Sequence, residues 1–286
     1  MKIKGVLAIL IATFLAQGMP AQAETGPEWI PPLDQVLRDK GEMAFDGCRP
    51  KPERIDPVMC VYGDSTSDHT VALVGDSHAM QWGPPLIRLA ERRGWRLVTF
   101  LRAGCPIADV KFENNCDEWR DLAFRSVAEQ RPAQVIVSTS IARRYTLSVR
   151  GKTLTRRGSE SLLAKGMTRT LRTFAAIPSL APRGPRVKLI RDQITAPFLP
   201  PRCLANHPEN PRVCKWARAR KFGPGFDVAG ATRAGILPAI DPLEALCAPR
   251  WCYSSRGNLV IYRDSDHLTA TFARTLTDWL AQRIGF

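Results

Sequence analysis

The sequence predicts an α/β protein built around a mostly parallel sheet. Two observations predict this class. From Val71 onwards, short apolar segments of strand length alternate with longer segments of helical periodicity, an alternation typical of βαβ units. The first apolar segment also ends in a glycine-containing turn, Gly75–His78. Such turns lie beyond the carboxyl ends of parallel strands, where α/β proteins bind their ligands.

The N-terminus predicts a secretory signal peptide over residues 1–23. A basic start, Met1–Lys4, precedes the apolar run Val6–Ala16, and Ala21–Ala23 matches an A-x-A cleavage site. The apolar run is too short for a membrane-spanning helix. We therefore expect an exported mature protein that starts at Glu24 and resides in the periplasm or outside the cell.

Residues 24–70 are predicted to wrap around the main domain rather than to form a domain of their own. They contain several prolines and no long periodic run, so they lack the pattern of an independent core. Residues 71–286 are long enough for one large domain with a full hydrophobic core.

The turn after the first predicted strand has the features of a nucleophile site. Val71–Val74 predict a short buried strand, and Gly75 allows a tight turn that a side chain would obstruct. Asp76 and Ser77 are both favourable helix N-caps, so a helix is expected to begin here. Ser77 would then stand beside free N–H groups, which stabilise the negative charge of an attacked carbonyl. The alternative is that Ser77 only caps the helix.

The remaining elements continue the alternation of strands and helices. The predicted strands are Arg96–Leu101, Gln134–Thr139, Val187–Arg191, Ile236–Ile240 and Asn258–Tyr262. The predicted helices are a segment ending at Gly94, Asp117–Gln130, Ser159–Ala176, Asp227–Ala234 and a final helix capped by Thr269. Gly104 follows the second strand and should lie near Ser77 at the carboxyl edge of the sheet. Its backbone N–H is a candidate oxyanion donor, although an ordinary turn glycine would give the same pattern.

A motif near the C-terminus supplies the partners that a nucleophilic serine needs. In Asp264-x-x-His267 the carboxylate can turn back to one ring nitrogen of the histidine. The other ring nitrogen is then free to take a proton from Ser77, as in a Ser-His-Asp triad. Asp266 competes for the acidic role, but a side chain adjacent to the histidine is expected to point away. The two motifs together predict Ser77 as nucleophile, His267 as base and Asp264 as the orienting carboxylate.

These motifs resemble those of the SGNH/GDSL hydrolase superfamily. The chain is more similar still to the SGNH domains attached to membrane acyltransferases that O-acetylate bacterial glycans. The resemblance spans roughly Cys48 to the C-terminus. It rests on Gly75–Ala79 with Pro85-Leu86, Ala103–Pro106, and Cys247–Cys252 preceding Tyr262–Thr269. One block differs, because the superfamily usually has an Asn oxyanion donor where this chain has Val135–Ser140, an absence that is common in the membrane-acyltransferase subgroup.

The resemblance implies a three-layer α/β/α catalytic domain over residues 71–286 that works without a cofactor or metal. It also implies a small acyl group, most often acetyl, and a carbohydrate polymer as partner. With a sugar hydroxyl as acceptor the protein would be an O-acetyltransferase, and with water an acetyl esterase. Because no later segment can span a membrane, a transferase would need a separate membrane acyltransferase as acetyl donor. The alternative from another class is a non-catalytic glycan-binding module.

Eight cysteines in a chain expected to be exported indicate disulfides. They fall into close pairs, each of which brackets a loop-like segment, so we expect neighbours along the chain to be bonded. The expected bridges are Cys48–Cys60, Cys105–Cys116, Cys203–Cys214 and Cys247–Cys252. Zinc coordination is the alternative, but the sequence has no C-x₂-C doublet and only four histidines.

Positive charge is concentrated in one segment. The chain has a net charge of +14, and Arg143–Arg191 contains 13 Lys or Arg residues and a single acid. Within this segment, Lys165, Arg169 and Arg172 share one face of a predicted amphipathic helix. The face suits an anionic glycan, a lipid headgroup or nucleic acid, and plain solvation is the alternative. Export and the lack of a recognition motif argue against nucleic acid.

Overall fold

The computed structural model describes residues 27–48, 50, 54–112, 115–141, 145–179, 186–193, 195–218 and 225–285. The predicted signal peptide, residues 1–23, lies outside this described part, as do some residues of the basic segment. Among the described residues, no helix combines the length and apolar composition needed to cross a bilayer.

The elements follow one another as a series of short strands and mostly longer helices. The strands are β1 Met59–Gly63, β2 Thr70–Gly75, β3 Arg96–Leu101, β4 Gln134–Ser138, β5 Ser148–Val149, β6 Lys152–Thr153, β7 Arg186–Leu189, β8 Lys215–Ala217, β9 Trp251–Tyr253, β10 Ser255–Arg256 and β11 Leu259–Val260. The α-helices are α1 Ser77–Met80, α2 Gly83–Arg93, α3 Cys116–Glu129, α4 Arg156–Ala175, α5 Pro200–Asn206, α6 Phe226–Ala234, α7 Leu243–Leu246, α8 Ala270–Thr275 and α9 Thr277–Ile284. Short 3₁₀ helices cover Val36–Arg38, Glu42–Ala44 and Pro211–Val213.

The central sheet described by the structure has the strand order β1-β3-β2-β4-β7. β2 pairs in parallel with β3 and β4, and β4 pairs in parallel with β7. The edge strand β1 runs antiparallel to β3. β2 and β4 are buried along their whole length, which explains their apolar runs Val71–Val74 and Val135–Val137, since both faces of a parallel sheet are covered. The predicted α/β class with a mostly parallel sheet is confirmed.

Alternate residues of β2 point into two separate hydrophobic cores. Val71 and Leu73 pack with apolar side chains of α2, α8 and α9. Ala72 and Val74 pack on the other face with side chains of α3, α4 and α6. The sheet therefore lies between two helical layers, and the three-layer arrangement that the family resemblance implied is confirmed.

Three peripheral elements differ from the predictions. The predicted strand Ile236–Ile240 makes one bridge, between Ile240 and Ile190, because Pro238 within it has no N–H to donate to a ladder. Of the predicted strand Asn258–Tyr262, only β11 is regular, and it pairs with β10 in a hairpin outside the central sheet. The final helix is divided at Leu276 into α8 and α9. Hydroxyl groups of two threonines beside the break donate to helix carbonyls, an interaction that bends helices.

The N-terminal segment contributes a strand that was not predicted. β1 begins with the short apolar run Met59–Tyr62, and its residues alternate between exposed and half-buried. The disulfides pair as neighbours: Cys48–Cys60, Cys105–Cys116, Cys203–Cys214 and Cys247–Cys252. The first of them fixes the N-terminal segment to β1, and the second joins the loop after β3 to the first residue of α3.

Candidate active site

The turn after β2 contains a glycine that no other residue could replace, and an aspartate that caps the helix that follows. A Cβ atom on Gly75 would lie 1.9 Å from the carbonyl oxygen of Ser138 on β4, so only glycine fits this close approach. Asp76 is the N-cap of α1, and its Oδ1 accepts a hydrogen bond from the N–H of His78 at 2.8 Å. Ser77 is therefore the first residue of α1, at the carboxyl end of the central strand.

The second oxygen of Asp76 ties the turn to the end of β4. It accepts hydrogen bonds from Thr139 Oγ1 at 2.9 Å and from the Ser140 N–H at 2.8 Å. Burial raises the pKa of the Asp76 carboxyl, although these hydrogen bonds and His78 act in the opposite direction. The stretch in which the superfamily usually has an Asn therefore supports the turn of Asp76 and Ser77 through its own polar groups.

The loop between β11 and α8 presents Asp264 to His267. Oδ1 of Asp264 accepts hydrogen bonds from the N–H groups of Asp266 and His267, at 3.0 and 2.7 Å. Both carboxylate oxygens face Nδ1 of His267, at 3.1 and 3.0 Å. Burial opposes the charge of Asp264, but His267 and the adjacent Arg263 hold its pKa well below the usual range.

The fold brings the two sequence motifs together. Nε2 of His267 lies 2.9 Å from Oγ of Ser77, across 190 residues of sequence. With Asp264 on the opposite side of the imidazole, the three side chains have the connectivity of a Ser-His-Asp triad. Such an arrangement can transfer the serine proton to the imidazole while the carboxylate stabilises the resulting charge.

Asp266 does not point away from the histidine, contrary to the expectation from its position. Its Oδ1 lies 3.1 Å from Nδ1 of His267, and its Oδ2 lies 3.9 Å from Nε2 of His78. His267 therefore has two carboxylates beside the same ring nitrogen. Asp264 differs from Asp266 in accepting two backbone hydrogen bonds as well, which fixes its position more firmly.

A second imidazole–carboxylate pair lies behind the first and was missed by the sequence analysis. Nδ1 of His78 is 2.5 Å from Oδ1 of Asp192, and the His78 side chain is 2 % exposed. Burial works against its charge, but Asp192, Asp76 and Asp266 together raise the pKa of His78 to about 9. The available signal was positional, because Asp192 directly follows the predicted strand Val187–Arg191, where polar side chains reach the ligand-binding edge.

Two buried glutamines hold the loop of Asp264 against α1. Gln81 donates to Gln193 at 2.9 Å and accepts a hydrogen bond from the N–H of Leu268 at 2.9 Å. Gln193 in turn donates to the carbonyl of Asp266. Neither glutamine was predicted, since their spacing in the sequence is unrelated to either motif. Together they fix the distance between the serine and the histidine.

Three of these side chains lie close enough together that their ligand atoms could contact one metal ion. Potential ligand atoms of His78, Asp266 and His267 lie within 4.8 Å of one another. Both nitrogens of His267 face Ser77 and the carboxylates, and Nδ1 of His78 faces Asp192. These contacts account for three of the four ring nitrogens of the two histidines.

Ser77 and His267 open into a cavity of about 450 Å³. Gly104 lines the same cavity and has a left-handed backbone with φ +80°. The Ser77 and Gly104 N–H groups form no hydrogen bond with another described residue. The two predicted oxyanion donors therefore border one space, and the Cys105–Cys116 bridge forms part of its wall.

The predicted basic face lies elsewhere. Lys165, Arg169 and Arg172 are all exposed on α4, and none is among the described residues that line the cavity of Ser77. Arg169 pairs with Asp109 at 2.6 Å, and Arg172 donates to the carbonyl of Arg233 at 3.0 Å. A ligand on this face would contact the protein outside the cavity.

Comparison with known proteins identifies a family. The model of the family described as "SGNH domain (fused to AT3 domains)" matches residues 47–282. No curated protein sequence matches the chain. A solved structure, the periplasmic domain of a lipopolysaccharide acetyltransferase from Salmonella ser. Paratyphi A, is similar with a TM-score of 0.56 and 16 % identity. The match covers 87 % of this chain and 93 % of that domain, and at this identity it concerns the fold.

Proposed function

Because the chain belongs to the family of SGNH domains that occur fused to AT3 acyltransferase domains, we propose that it transfers an acetyl group to a carbohydrate polymer outside the cytoplasm. Family membership supports acyl-ester chemistry of the hydrolase or acyltransferase type. The observation that carries the proposal is the 2.9 Å contact between His267 Nε2 and Ser77 Oγ. Asp264 on the other ring nitrogen completes the set of groups that this chemistry requires.

The reaction has two half-reactions through an acyl-enzyme. Ser77 Oγ attacks the carbonyl carbon of the donor ester while His267 Nε2 takes the serine proton. The bond from that carbon to the leaving oxygen then breaks, and His267 returns the proton to the leaving oxygen. In the second half, a sugar hydroxyl gives its proton to His267 and attacks the acyl carbon. The Ser77 ester bond breaks, and His267 reprotonates Ser77 Oγ.

Backbone N–H groups stabilise the tetrahedral intermediate in this proposal. The N–H of Ser77, at the start of α1, and the N–H of Gly104 border the cavity without another described acceptor. A donor of this kind contributes roughly 3 kcal/mol to transition-state stabilisation in related acyl transfer. This pair would serve in place of the Asn that the superfamily usually has.

Export and a membrane partner belong to the same proposal. Four disulfides fit an oxidising compartment, and the similar Salmonella domain is described as periplasmic. Members of the family are fused to AT3 domains, so we propose that a membrane acyltransferase supplies the acetyl group. Transfer is favoured over hydrolysis for this reason.

An acetyl esterase is the second candidate, because water can replace the sugar in the deacylation step with the same residues. A non-catalytic glycan-binding module is disfavoured, since binding alone does not require a serine, a histidine and a carboxylate that are hydrogen-bonded to one another in a row.

The test separates these outcomes in one experiment. The protein is incubated with p-nitrophenyl acetate, with and without oligosaccharide acceptors, and free acetate and acetylated sugar are measured by mass spectrometry. Acetylated oligosaccharide formed in preference to acetate supports the transferase. Hydrolysis without acceptor product, whatever glycan is supplied, makes the protein an esterase, and no acyl-Ser77 at all refutes both.

A further inference from the structure

The cavity around Ser77 is lined by cations. Lys40, Arg102 and Arg263 border it, and the described residues of its lining include no aspartate or glutamate. Arg263 is paired with Asp264 of the triad at 3.1 Å. Arg102 is 2 % exposed, directly follows β3, and donates to the carbonyl of Asn115 at 2.9 Å. Its charge is thus held beside the loop that carries Gly104.

Lys40 comes from the N-terminal segment and is placed at the cavity by its neighbours. The carbonyl of Asp39 accepts the N–H of Ala270 at 3.0 Å, and the Asp39 carboxylate accepts the N–H of Thr271 at 2.9 Å. Glu42 forms an ion pair with Arg274, also on α8, at 2.5 Å. The chain on both sides of Lys40 is therefore fixed to the helix that follows the His267 loop.

Gly41 brings this segment close to the rest of the site. Its φ is +81°, and a Cβ atom there would lie 2.7 Å from Cγ of Pro84 and 3.4 Å from Cβ of Ala270. Only glycine combines this backbone conformation with this close approach. The position of Lys40 is thus determined by contacts to α2 and α8 rather than by a free loop.

Lys40 is half-buried as a residue, and its ammonium forms no hydrogen bond or ion pair with another described residue. Cations on the outer surface are screened by solvent, whereas a cation at the rim of a concave site attracts an anion more strongly. On the exposed basic face of α4, Arg169 and Arg172 have partners, whereas the Lys40 ammonium has no partner in the described part of the chain. The Lys40 ammonium is therefore available to contact a ligand.

We propose that the sugar that exchanges the acyl group carries an anionic substituent, a carboxylate or a phosphate, and that the cavity binds the sugar by this substituent. Lys40 contacts the anion, and Arg102 lies behind Lys40. The statement that this sugar exchanges an acyl group rests on the proposed function. The binding of an anionic sugar does not, because it requires only the cavity. An acidic sugar oriented in this way would present a neighbouring hydroxyl, or its ester, to Ser77.

The first test measures binding without turnover, in the Ser77→Ala protein. Methyl glucuronoside, its uncharged methyl ester and methyl glucoside 6-phosphate are titrated by NMR. We expect one or both anionic sugars to bind at least about tenfold more tightly than the ester, the gain of one charge-assisted hydrogen bond. Which anion binds distinguishes carboxylate from phosphate. Equal dissociation constants for all three sugars would overturn the proposal.

Substitutions then assign the effect to Lys40. Lys40→Gln should weaken binding of the preferred anionic sugar about tenfold, and Lys40→Arg should retain most of it. Lys152→Gln is the matched control, since Lys152 is exposed on the β5–β6 hairpin and does not line the cavity. If Lys40→Gln and Lys152→Gln change the dissociation constant equally, Lys40 is not the contact.

Turnover of the acetylated forms of the same sugars separates this inference from the proposed function. Two substrates are compared, the acetylated anionic sugar and the acetylated form of its uncharged methyl ester. The ratio of kcat/KM for the first to kcat/KM for the second should fall about tenfold in Lys40→Gln. If Lys40 only stabilised the oxyanion, both values would fall equally and the ratio would stay constant, against the proposal. Absence of turnover for every ester would refute the acyl-transfer function, while the binding titration would still decide whether the cavity holds anionic sugars.

Discussion

The molecule contains two imidazole–carboxylate pairs side by side, His267 with Asp264 and His78 with Asp192. The centroids of the two imidazole rings are 4.6 Å apart. In each pair Nδ1 faces the carboxylate, at 3.0 Å for His267 and at 2.5 Å for His78. They differ at the other nitrogen: Nε2 of His267 meets Ser77 in an open cavity, whereas Nε2 of His78 faces Asp266 in the interior.

The comparison shows that a carboxylate partner does not by itself make a histidine a catalytic base. A base must change its charge during each cycle, so it needs a proton donor at Nε2 and an environment that tolerates both charge states. His267 is 17 % exposed and has such a donor. His78 is enclosed by Asp192, Asp76 and Asp266, and these anions stabilise its charged form. The first pair is suited to proton transfer and the second to holding the turn in place.

The largest effect is expected when the donor at Nε2 is removed. Ser77→Ala should lower acyl-ester turnover by at least about 10⁴-fold, because loss of a triad nucleophile removes the covalent route. The protein should remain folded, since the His78–Asp192 pair is untouched. Turnover is measured with p-nitrophenyl acetate, and a fluorophosphonate probe should label Ser77 in the wild type. Ser148→Ala, on the exposed β5–β6 hairpin, is the control, and substantial turnover by Ser77→Ala would exclude this nucleophile.

The next largest effect concerns the two carboxylates beside Nδ1 of His267. Asp264→Asn should reduce kcat about 10³-fold, because the amide can hold the imidazole in the wrong tautomer. Asp266→Asn should reduce kcat less than about tenfold, since Asp264 keeps its backbone hydrogen bonds and its place. The two variants are matched in charge and lie two residues apart. The reverse order of effects would identify Asp266 as the partner of the base.

A smaller effect, on stability rather than on turnover, is expected from the second pair. The pKa of His78 is raised to about 9 in the folded protein, against about 6.5 for an unperturbed histidine. Its contribution is therefore complete below about pH 6.5 and is lost as the pH rises through 9. Urea unfolding should show a loss of about 3 kcal/mol in the free energy of unfolding over this interval.

Asp192→Asn tests this assignment, because it removes the main charge that favours protonated His78. The variant should be less stable at pH 6 and should lose most of the decrease between pH 6.5 and 9. Asp241→Asn is a matched control, since Asp241 pairs with Arg191, 3.3 Å away, whose charge is constant in this range. An Asp192→Asn protein with the pH dependence of the wild type would show that His78 is not the titrating group.

The central strands and the proximity of Ser77, His267 and Asp264 could be predicted because the signals for them are local. β2 and β4 contain the apolar runs Val71–Val74 and Val135–Val137, and the Asp264-x-x-His267 motif contains both the histidine and its carboxylate. The peripheral elements were harder for a physical reason, since Ile236–Ile240 is as apolar as a strand but contains Pro238. The apolar run Met59–Tyr62 of β1 is short and was not predicted as a strand, and in the fold its residues alternate between exposed and half-buried at an edge of the sheet.

The parts of the site that escaped prediction depend on distant partners. Asp192 follows a predicted strand, but its pairing with His78 becomes evident only once β7 lies beside β4, because the two residues are 114 positions apart. Lys40 is similar, since its place at the cavity follows from the contacts of Asp39 and Glu42 with α8. Spacing along the sequence predicts contacts between residues of one motif. The contacts of Asp192 and Lys40 form only when the fold brings separate segments together.

The smallest effect is expected from cations that touch neither imidazole pair. Neutralising the α4 face by Lys165→Gln, Arg169→Gln and Arg172→Gln together should raise KM for an acidic polysaccharide about threefold, and more than KM for p-nitrophenyl acetate. The effect is small because exposed charges are screened over about 8 Å at physiological ionic strength, and because Arg169 already pairs with Asp109. It should therefore shrink further as salt is added.

The control for this triple variant removes the same charge from other exposed positions. These are Arg93→Gln, Arg125→Gln and Lys152→Gln, on α2, α3 and β6. If the α4 face binds a polymer, its variant should raise KM more than the control does at low salt, since only its cations lie together on one helix. Equal changes would mean that net charge alone attracts the polysaccharide, and that α4 is a solvated surface. In that case the charge selectivity of the protein would reside in the cavity of Ser77, which Lys40 and Arg102 line.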